Sequence, residues 1–245
     1  MVEWFIGCSG FHYNHWKGAF YPEELAKSKW FDFYNNRFKT LELNVTFYRF
    51  PRLPVLESWY RQSPPDFRFS VKVYKGITHY KQFIGTERMI HDFYALVREG
   101  LREKVGCILF QMPERMKYKP EKLDQILNQV DPDFENVLEF RNESWWNADV
   151  FSLLSMHNVA FCGMSYPGLP DEVIQNTDTV YYRFHGVPHL YRSKYKRSFL
   201  HNVADQVENN DGAKKAYMYF NNDIDASAIT NAFQLAAYTK KLTGG

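Results

Sequence analysis

Short apolar runs alternate with polar or helical segments along the whole chain. Eight of these runs have the composition of a β-strand, and each is followed by a turn or by polar residues. Several segments between them carry apolar residues at i, i+3, i+4 and i+7, which is the spacing of an amphipathic helix. The predicted strands are 4–8, 40–44, 67–73, 105–110, 136–141, 159–163, 179–186 and 216–220.

The repeated order of strand and helix predicts parallel βα units. Eight such units favour a closed (β/α)8 TIM barrel, folded as one domain over residues 1–245. An open doubly wound sheet is the alternative, but the first turn, Ser9-Gly10, lacks the G-x-G-x-x-G pattern of dinucleotide-binding folds. The connection at 170–178 is too short for a full helix, so we expect a weak or missing sixth helix.

Local signals predict where helices begin and where loops lie. Proline at a first helical position and polar capping residues mark most helix starts. The predicted helix starts or caps are Pro22, Thr86, Pro120, Asn147 and Asp225, and a further helix crosses 55–61. The segments 46–51, 77–79 and 189–197 are predicted loops.

Composition narrows the class of protein. The chain has 245 residues, of which 45% are hydrophobic and 24% charged, as in ordinary globular proteins. Its net charge of +2 is too mild to indicate nucleic-acid binding by itself. The three cysteines show no CxxC spacing, which favours buried free thiols in a reducing compartment. Neither a secretory leader nor an apolar run of about 18 residues is evident, so we expect a cytoplasmic protein without a membrane partner.

Charged residues at the end of the fifth predicted strand are the first indication of a site. Because strand side chains alternate, Glu139 and Arg141 share one face while Leu138 and Phe140 share the other. Burial of either charge alone would cost several kcal/mol, so the pair must satisfy each other, a ligand, or both. A structural ion pair is the alternative interpretation.

The same pattern recurs at other predicted strand ends. In a TIM barrel these ends form the active-site face, and so many polar side chains there favour a ligand site over a solvated rim. Three of them are cations and two are acids, so we expect an anionic ligand: a phosphate, a phosphodiester or a carboxylate. The candidate residues are Ser9, Glu42, Asn44, Lys72, Gln111, Glu139, Arg141, Arg183, His185 and Asn221, with His79 and Trp145 in the segments that follow two of the strands.

Short motifs occur in a fixed order along nearly the whole chain, at 7–10, 20–22, 42–48, 69–72, 77–79, 111–113, 139–141, 144–145, 183–186 and 221–222. Together they resemble the motifs of the DUF72 (YecE-like) family. The resemblance implies a TIM barrel and carries over no particular reaction. The chain departs from the family pattern at Cys8, Phe11, Asn142 and Ser165, and the last two departures remove potential acid/base or metal groups.

The first functional hypothesis is a hydrolase or lyase that acts on an anionic, phosphorylated or sugar-like substrate. Glu42 or Glu139 would serve as general acid or base with His185 as the counterpart, and the other candidate residues would bind substrate. Two carboxylates at one face would also permit glycoside hydrolysis.

The alternative hypothesis is nucleic-acid binding, with or without phosphodiester chemistry, through the basic and aromatic segment 189–197. A solvated loop is the simpler explanation of that segment, and a non-enzymatic scaffold is a third class. No cofactor or metal is expected, because His185 and His189 flank Gly186 and Pro188 and so cannot share a helix face. The sequence does not specify an oligomeric state.

Overall fold

The computed structural model describes residues 1–243. Its eight strands are parallel and form one sheet in the order β1-β8-β7-β6-β5-β4-β3-β2, the strand order of a (β/α)8 barrel, which confirms the predicted fold class. A parallel bridge between Ser9 and Glu42 links the ends of the two outermost strands of that order. The strands are β1 (Glu3–Cys8), β2 (Thr40–Leu43), β3 (Arg68–Lys72), β4 (Val105–Gln111), β5 (Glu135–Glu139), β6 (Val159–Ser165), β7 (Thr179–Phe184) and β8 (Lys215–Phe220).

α-Helices connect most of these strands, and the longer ones bury one apolar side. The α-helices are α1 (Trp30–Asn35), α2 (Val45–Tyr48), α3 (Leu53–Gln62), α4 (Glu87–Leu101), α5 (Pro120–Leu127), α6 (Ala148–Met156), α7 (Arg197–Glu208) and α8 (Ser227–Thr243). A π-helix spans Gly76–Tyr80, and 3-10 helices span Asn14–Trp16, Lys27–Lys29, Arg102–Lys104 and Glu143–Trp145.

Contacts along the chain divide it into two compact units. The first contains residues 1–42 and the chain from residue 162 onward. In this unit β8 pairs with β1 on one side and with β7 on the other, each over six residues in unbroken register. Phe184 and Phe220 stack at a centroid distance of 4.2 Å where β7 and β8 end. This register brings the residues that follow β7 and β8 to the same edge of the sheet.

The second unit contains residues 43–161. Here β4 pairs with β3 and β5, and the register of β3 shifts between Phe69 and Val71. Lys72 ends β3 beside Leu109, and Gln111 pairs with Glu139 where β4 and β5 end. The polar ends of three neighbouring strands therefore lie at one edge of this part of the sheet.

The start of the first helix is wrong in the sequence prediction. Pro22 and the acids after it predict a helix, but that segment turns and α1 begins at Trp30. The buried ring of Tyr21 stacks on Trp30 at 4.6 Å, and its hydroxyl donates to the carbonyl of Phe11. This packing fixes the chain at Tyr21, and an apolar stripe begins only at Trp30.

Three further local predictions are corrected. The 46–51 segment, predicted as a loop, contains α2, and β2 ends at Leu43, so Asn44 takes a helical backbone conformation and no longer alternates with Glu42. The segment around His79 is a π-helix instead of a loop. Asp225 does not cap the last helix, because α8 begins at Ser227 after Ala226, which has a φ of +54°.

Helix α7 was not predicted from the sequence. Its buried residues Leu200, Val203, Ala204 and Val207 follow the helical spacing, so the signal was present in the sequence. The predicted starts at Thr86, Pro120 and Asn147 are confirmed, and Asn147 caps α6 by accepting from the backbone N–H of Val150 at 3.1 Å. The prediction of a weak or missing helix at 170–178 is also confirmed, because the described stretch between β6 and β7 contains no helix.

Two further expectations concern thiols and membranes. Cys8, Cys107 and Cys162 form no disulfide bond and are fully buried, as the sequence predicts. Within residues 1–243, no helix combines the length and apolar character needed to cross a membrane.

Candidate functional site

Glu42 is the centre of a buried cluster in the first unit, the Glu42 cluster, which also contains Ser9, Tyr181 and Arg183. The carboxylate accepts from the Tyr181 hydroxyl at 2.7 Å and from the Arg183 guanidinium at 2.6 Å. Arg183 also lies 3.5 Å from the hydroxyl of Ser9. Glu42 is fully buried and Arg183 is 1% exposed, so each charge depends on the other for stability.

His185 and Asn221 follow β7 and β8 in the same unit. The Asn221 side-chain amide lies 3.1 Å from Nδ1 of His185. Donation by this amide would leave the proton of a neutral imidazole on Nε2. The His185 ring is buried and lies at 5.5 Å from the ring of Tyr166. His185 and Asn221 were both predicted as site residues, and the structure brings them into contact.

Glu139 and Arg141 form an ion pair in the second unit, as their spacing predicts. The guanidinium Nε of Arg141 donates to a carboxylate oxygen of Glu139. Glu139 is fully buried and Arg141 is 9% exposed. The pair is therefore almost entirely buried, and the Glu139 carboxylate orients the Arg141 guanidinium.

Lys72 ends β3 with its ammonium over the ring of Phe47, 4.2 Å from the centroid. The Thr46 hydroxyl donates to the Lys72 backbone carbonyl at 2.6 Å and fixes the backbone of this strand end. The Lys72 side chain is only 8% exposed. Burial of an ammonium in this way requires favourable electrostatics around it.

The pKa of His79 reflects the sign of the electrostatic potential at these strand ends. Burial, followed by the nearby cations Lys72, Arg115 and Arg141, lowers the pKa of His79 to about 4 against the opposing effect of Glu139. Nδ1 of the ring lies 2.8 Å from the Thr78 hydroxyl. The imidazole is therefore neutral at pH 7 and lies in a positive potential.

These residues form a second cluster, the His79 cluster, at the ends of β3, β4 and β5. Gln111 lies 3.5 Å from Nε2 of His79, and Arg115 donates to the His79 carbonyl at 3.2 Å. The cluster has three cations and one carboxylate, so its own charge favours an anion. Its members are Lys72, His79, Gln111, Arg115, Glu139 and Arg141.

Comparison with known proteins identifies the family. A sequence model described as "Protein of unknown function DUF72" matches residues 5–243. The chain belongs to the DUF72 family. The UPF0759 protein YunF of Bacillus subtilis is 26% identical to it, over 94% of this chain and 93% of the relative.

Solved structures agree with the fold of this DUF72 protein. A DUF72 family protein from Thermotoga maritima superposes with a TM-score of 0.87 at 27% identity, covering 98% of this chain and 99% of the other. A DUF72 family protein from Enterococcus faecalis gives a TM-score of 0.82 at 19% identity, covering 97% and 95% of the two chains, and supports the fold alone. Both superpositions extend over almost the entire barrel.

Two predicted ligand residues of the DUF72 chain, Trp145 and Asn44, belong to neither of the two clusters. Trp145 is fully buried, stacks on Phe140 at 4.0 Å and donates its indole N–H to the carbonyl of Met116 at 2.7 Å. Asn44 precedes α2, and its side-chain oxygen is buried without a hydrogen-bond donor among the described residues. Their predicted role in substrate binding stays a prediction, and the contacts of Trp145 are those of a packing residue.

The basic segment 189–197 contains both buried and exposed side chains. Tyr195 is buried, its hydroxyl accepts from the backbone N–H of Gly186 at 2.7 Å, and its ring stacks on Phe199 at 5.0 Å. Its ring is therefore covered, whereas Tyr191 is 37% exposed. The cations Arg192, Lys194, Lys196 and Arg197 are exposed.

Two groups near the predicted sites were not predicted from the sequence. Arg115 contributes to the His79 cluster from an irregular loop, where no periodicity predicts a direction for its side chain. His15 lies 2.6 Å from the carbonyl oxygen of Asp223 and 3.5 Å from its carboxylate. Burial raises the pKa of Asp223, and no sequence spacing connects these two residues. Among residues 1–243, no group of three or more His, Cys, Asp or Glu side chains has the arrangement of a metal site.

Proposed function

We propose that this chain is an enzyme, a hydrolase or lyase, that binds an anionic and preferably phosphorylated substrate at the His79 cluster. The convergence of Lys72, Arg115 and Arg141 on a neutral His79 carries the proposal. A phosphoryl or carboxylate group entering there would replace water beside three cations, and charge-assisted hydrogen bonds are the strongest that proteins offer.

The chemistry of the cluster fits acid–base catalysis next to a bound anion. Arg141 would contact the anion while Glu139, held by Arg141, would transfer a proton to or from the substrate. Nε2 of a neutral His79 would offer a second proton acceptor. The cations would stabilise negative charge that develops during the reaction.

The first unit contains the other predicted acid–base residues, Glu42 and His185. Glu42 is held by two donors, and His185 is oriented by Asn221. Such held groups are pre-organised for proton transfer, and we retain both residues as candidates in the first unit. Replacing His185 by Asn tests the second of them in the same turnover assay as Glu139.

Anion binding is tested by NMR of the His79 imidazole with inorganic phosphate. Phosphate beside the ring should raise the pKa of His79 from about 4 by roughly one unit or more. Replacement of Lys72 by Met should weaken phosphate binding at least about tenfold, since one charge-assisted hydrogen bond contributes about 1.5–3 kcal/mol. Replacement of Lys117, which is exposed in the same unit, by Met is the matched control.

Two results would overturn anion binding at this cluster. One is a His79 pKa that does not respond to phosphate. The other is an equal response to chloride at the same ionic strength, which would indicate general screening.

Turnover is tested by release of inorganic phosphate from a panel of phosphate monoesters. Glu139→Gln should lower kcat about a hundredfold or more, because general acid–base catalysis contributes at least that factor. The phosphate Kd should change far less than kcat. Unchanged turnover in Glu139→Gln would remove Glu139 from the mechanism.

A second candidate function is nucleic-acid binding by the 189–197 segment. Its exposed cations and Tyr191 favour contact with phosphates and stacking on a base. Affinity for a single-stranded oligonucleotide should then fall steeply with salt and with replacement of Arg192, Lys196 and Arg197 by Gln. Binding without either dependence would reject this candidate.

A further inference from the structure

Two exposed tyrosines flank a lysine in the second unit. Tyr48 is 63% exposed and Tyr80 is 67% exposed, which places them among the most exposed large apolar side chains of the described residues. The ammonium of Lys75 lies 5.4 Å from the ring centroid of each. We call Tyr48, Lys75 and Tyr80 the tyrosine platform.

The platform adjoins the His79 cluster through a shared aromatic residue. The Phe47 ring lies 5.1 Å from the ring of Tyr48 and 5.1 Å from that of His79, so Tyr48 and His79 are within about 10 Å of each other. The ammonium of Lys72 also lies over the face of the Phe47 ring. In the chain, Tyr80 directly follows His79 in the π-helix, so both tyrosines come from the elements that build the anion site.

We propose that the tyrosine platform binds the base of a nucleotide whose phosphate occupies the His79 cluster. The proposal rests on the proposed function and narrows its substrate class. The upper limit of about 10 Å between the rings of Tyr48 and His79 is short enough for one nucleotide to reach both. Lys75 adds a donor for a ring nitrogen or carbonyl of the base.

A base fits the platform better than a sugar does. Stacking on an aromatic face contributes about 1–3 kcal/mol per base and needs no hydrogen bond, because every base has a π-face. A sugar in the same position would need several polar side chains for its hydroxyl groups, and the platform offers one ammonium and two phenol hydroxyls at its edges.

Calorimetric titrations of the full chain separate the two parts of the ligand. The probes are inorganic phosphate, adenosine, adenosine monophosphate and glucose 6-phosphate. We expect the monophosphate to bind about tenfold or more tightly than phosphate, as one stacked base implies. The double variant Tyr48→Ala/Tyr80→Ala should abolish this advantage and leave the Kd of phosphate unchanged.

Two variants serve as controls for the tyrosines. Tyr48→Phe/Tyr80→Phe should keep the advantage of the monophosphate, since the rings and not the hydroxyls stack. Met156→Ala, which removes an exposed apolar side chain elsewhere in the second unit, should change neither affinity. Both Tyr48 and Tyr80 are exposed, so their loss should leave the circular dichroism spectrum unchanged.

The outcomes distinguish the platform from the anion site. Phosphate binding with no gain for the monophosphate would overturn the platform and leave the anion site standing. A gain for glucose 6-phosphate alone would overturn the assignment to a base. Adenosine binding that depends on the tyrosines, without any binding of phosphate, would uphold the platform and overturn the proposed function. Binding of neither would overturn both.

Discussion

The pKa of His79 is low because its surroundings destabilise the protonated imidazolium form. Burial is the largest cause, and Lys72, Arg115 and Arg141 add repulsion that the single carboxylate of Glu139 does not offset. An ordinary histidine has a pKa of about 6.5 and titrates near neutrality. His79 instead remains neutral at any pH well above 4. Its charge state is therefore a sensitive indicator of the potential at the proposed site.

This shift predicts how His79 contributes to stability as the pH changes. The folded pKa of about 4 lies below the unfolded value of 6.5, so as pH falls from 6.5 toward 4 the unfolded chain binds the proton first and folding is penalised. Above pH 6.5 the residue contributes no pH dependence. We expect the free energy of unfolding in urea of the natural chain, relative to His79→Asn, to decrease between pH 7 and pH 4. A difference that stays constant with pH would contradict the depressed pKa.

Sequence reasoning predicted the paired residues at this scale and missed their surroundings. Period-two alternation is a local rule, so it placed Glu139 and Arg141 on one face before any fold was known. The contribution of Arg115 depends on the path of an irregular loop, and the depressed pKa of His79 depends on burial and on three elements meeting. No local rule specifies either.

Elements were predicted well where one local signal was strong and unopposed. Pro120 and Asn147 mark helix starts because a fixed φ and a side-chain cap act within one turn. Pro22 gives an equally good local signal, but the buried stack of Tyr21 on Trp30 overrides it. The helix α2 is too short for any periodicity to be read from the sequence. Tertiary packing thus decides the elements that the local pattern leaves ambiguous.

The close contact of α3 and α4 gives a prediction at the scale of elements. Alanine normally stabilises a helix interior by about 0.5–1 kcal/mol relative to glycine. A Cβ at Gly100 in α4 would lie 2.4 Å from Cβ of Leu56 in α3, so one helix must move. We expect Gly100→Ala to destabilise the protein by about 1–3 kcal/mol in urea denaturation.

An exposed position of the same helix provides the control. Glu99→Ala changes a solvated residue of α4 and should shift the free energy of unfolding by less than about 0.5 kcal/mol. If Gly100→Ala stabilised the protein instead, helix propensity would outweigh the contact between Gly100 and Leu56.

The fold of the whole molecule was the most predictable level. Eight strand-like runs alternating with helices left few topologies, and the strand order and the DUF72 relatives confirm the barrel class. Prediction at this scale is robust because errors at helix ends do not alter the order of elements. The number of cooperative units is a separate question, since contacts divide the chain into two compact parts.

The sequence predicts a single domain, and calorimetry tests this. We expect one thermal transition whose calorimetric and van't Hoff enthalpies agree. For a chain of 245 residues, the enthalpy near 60 °C should be about 170 kcal/mol. Two resolved transitions, or a van't Hoff enthalpy near half the calorimetric value, would show that the two parts unfold separately.

Burial of the three thiols makes it possible to label the protein at a single introduced cysteine and so to measure ligand binding. Cys8, Cys107 and Cys162 are all enclosed, and burial, with a smaller contribution from Asp223, raises the pKa of Cys8 well above its usual value. Thiolate is the reactive form, so maleimide reagents should leave the folded chain unlabelled. A fluorophore attached through a cysteine introduced at exposed Lys81 would therefore give a signal from one known place, beside the tyrosine platform.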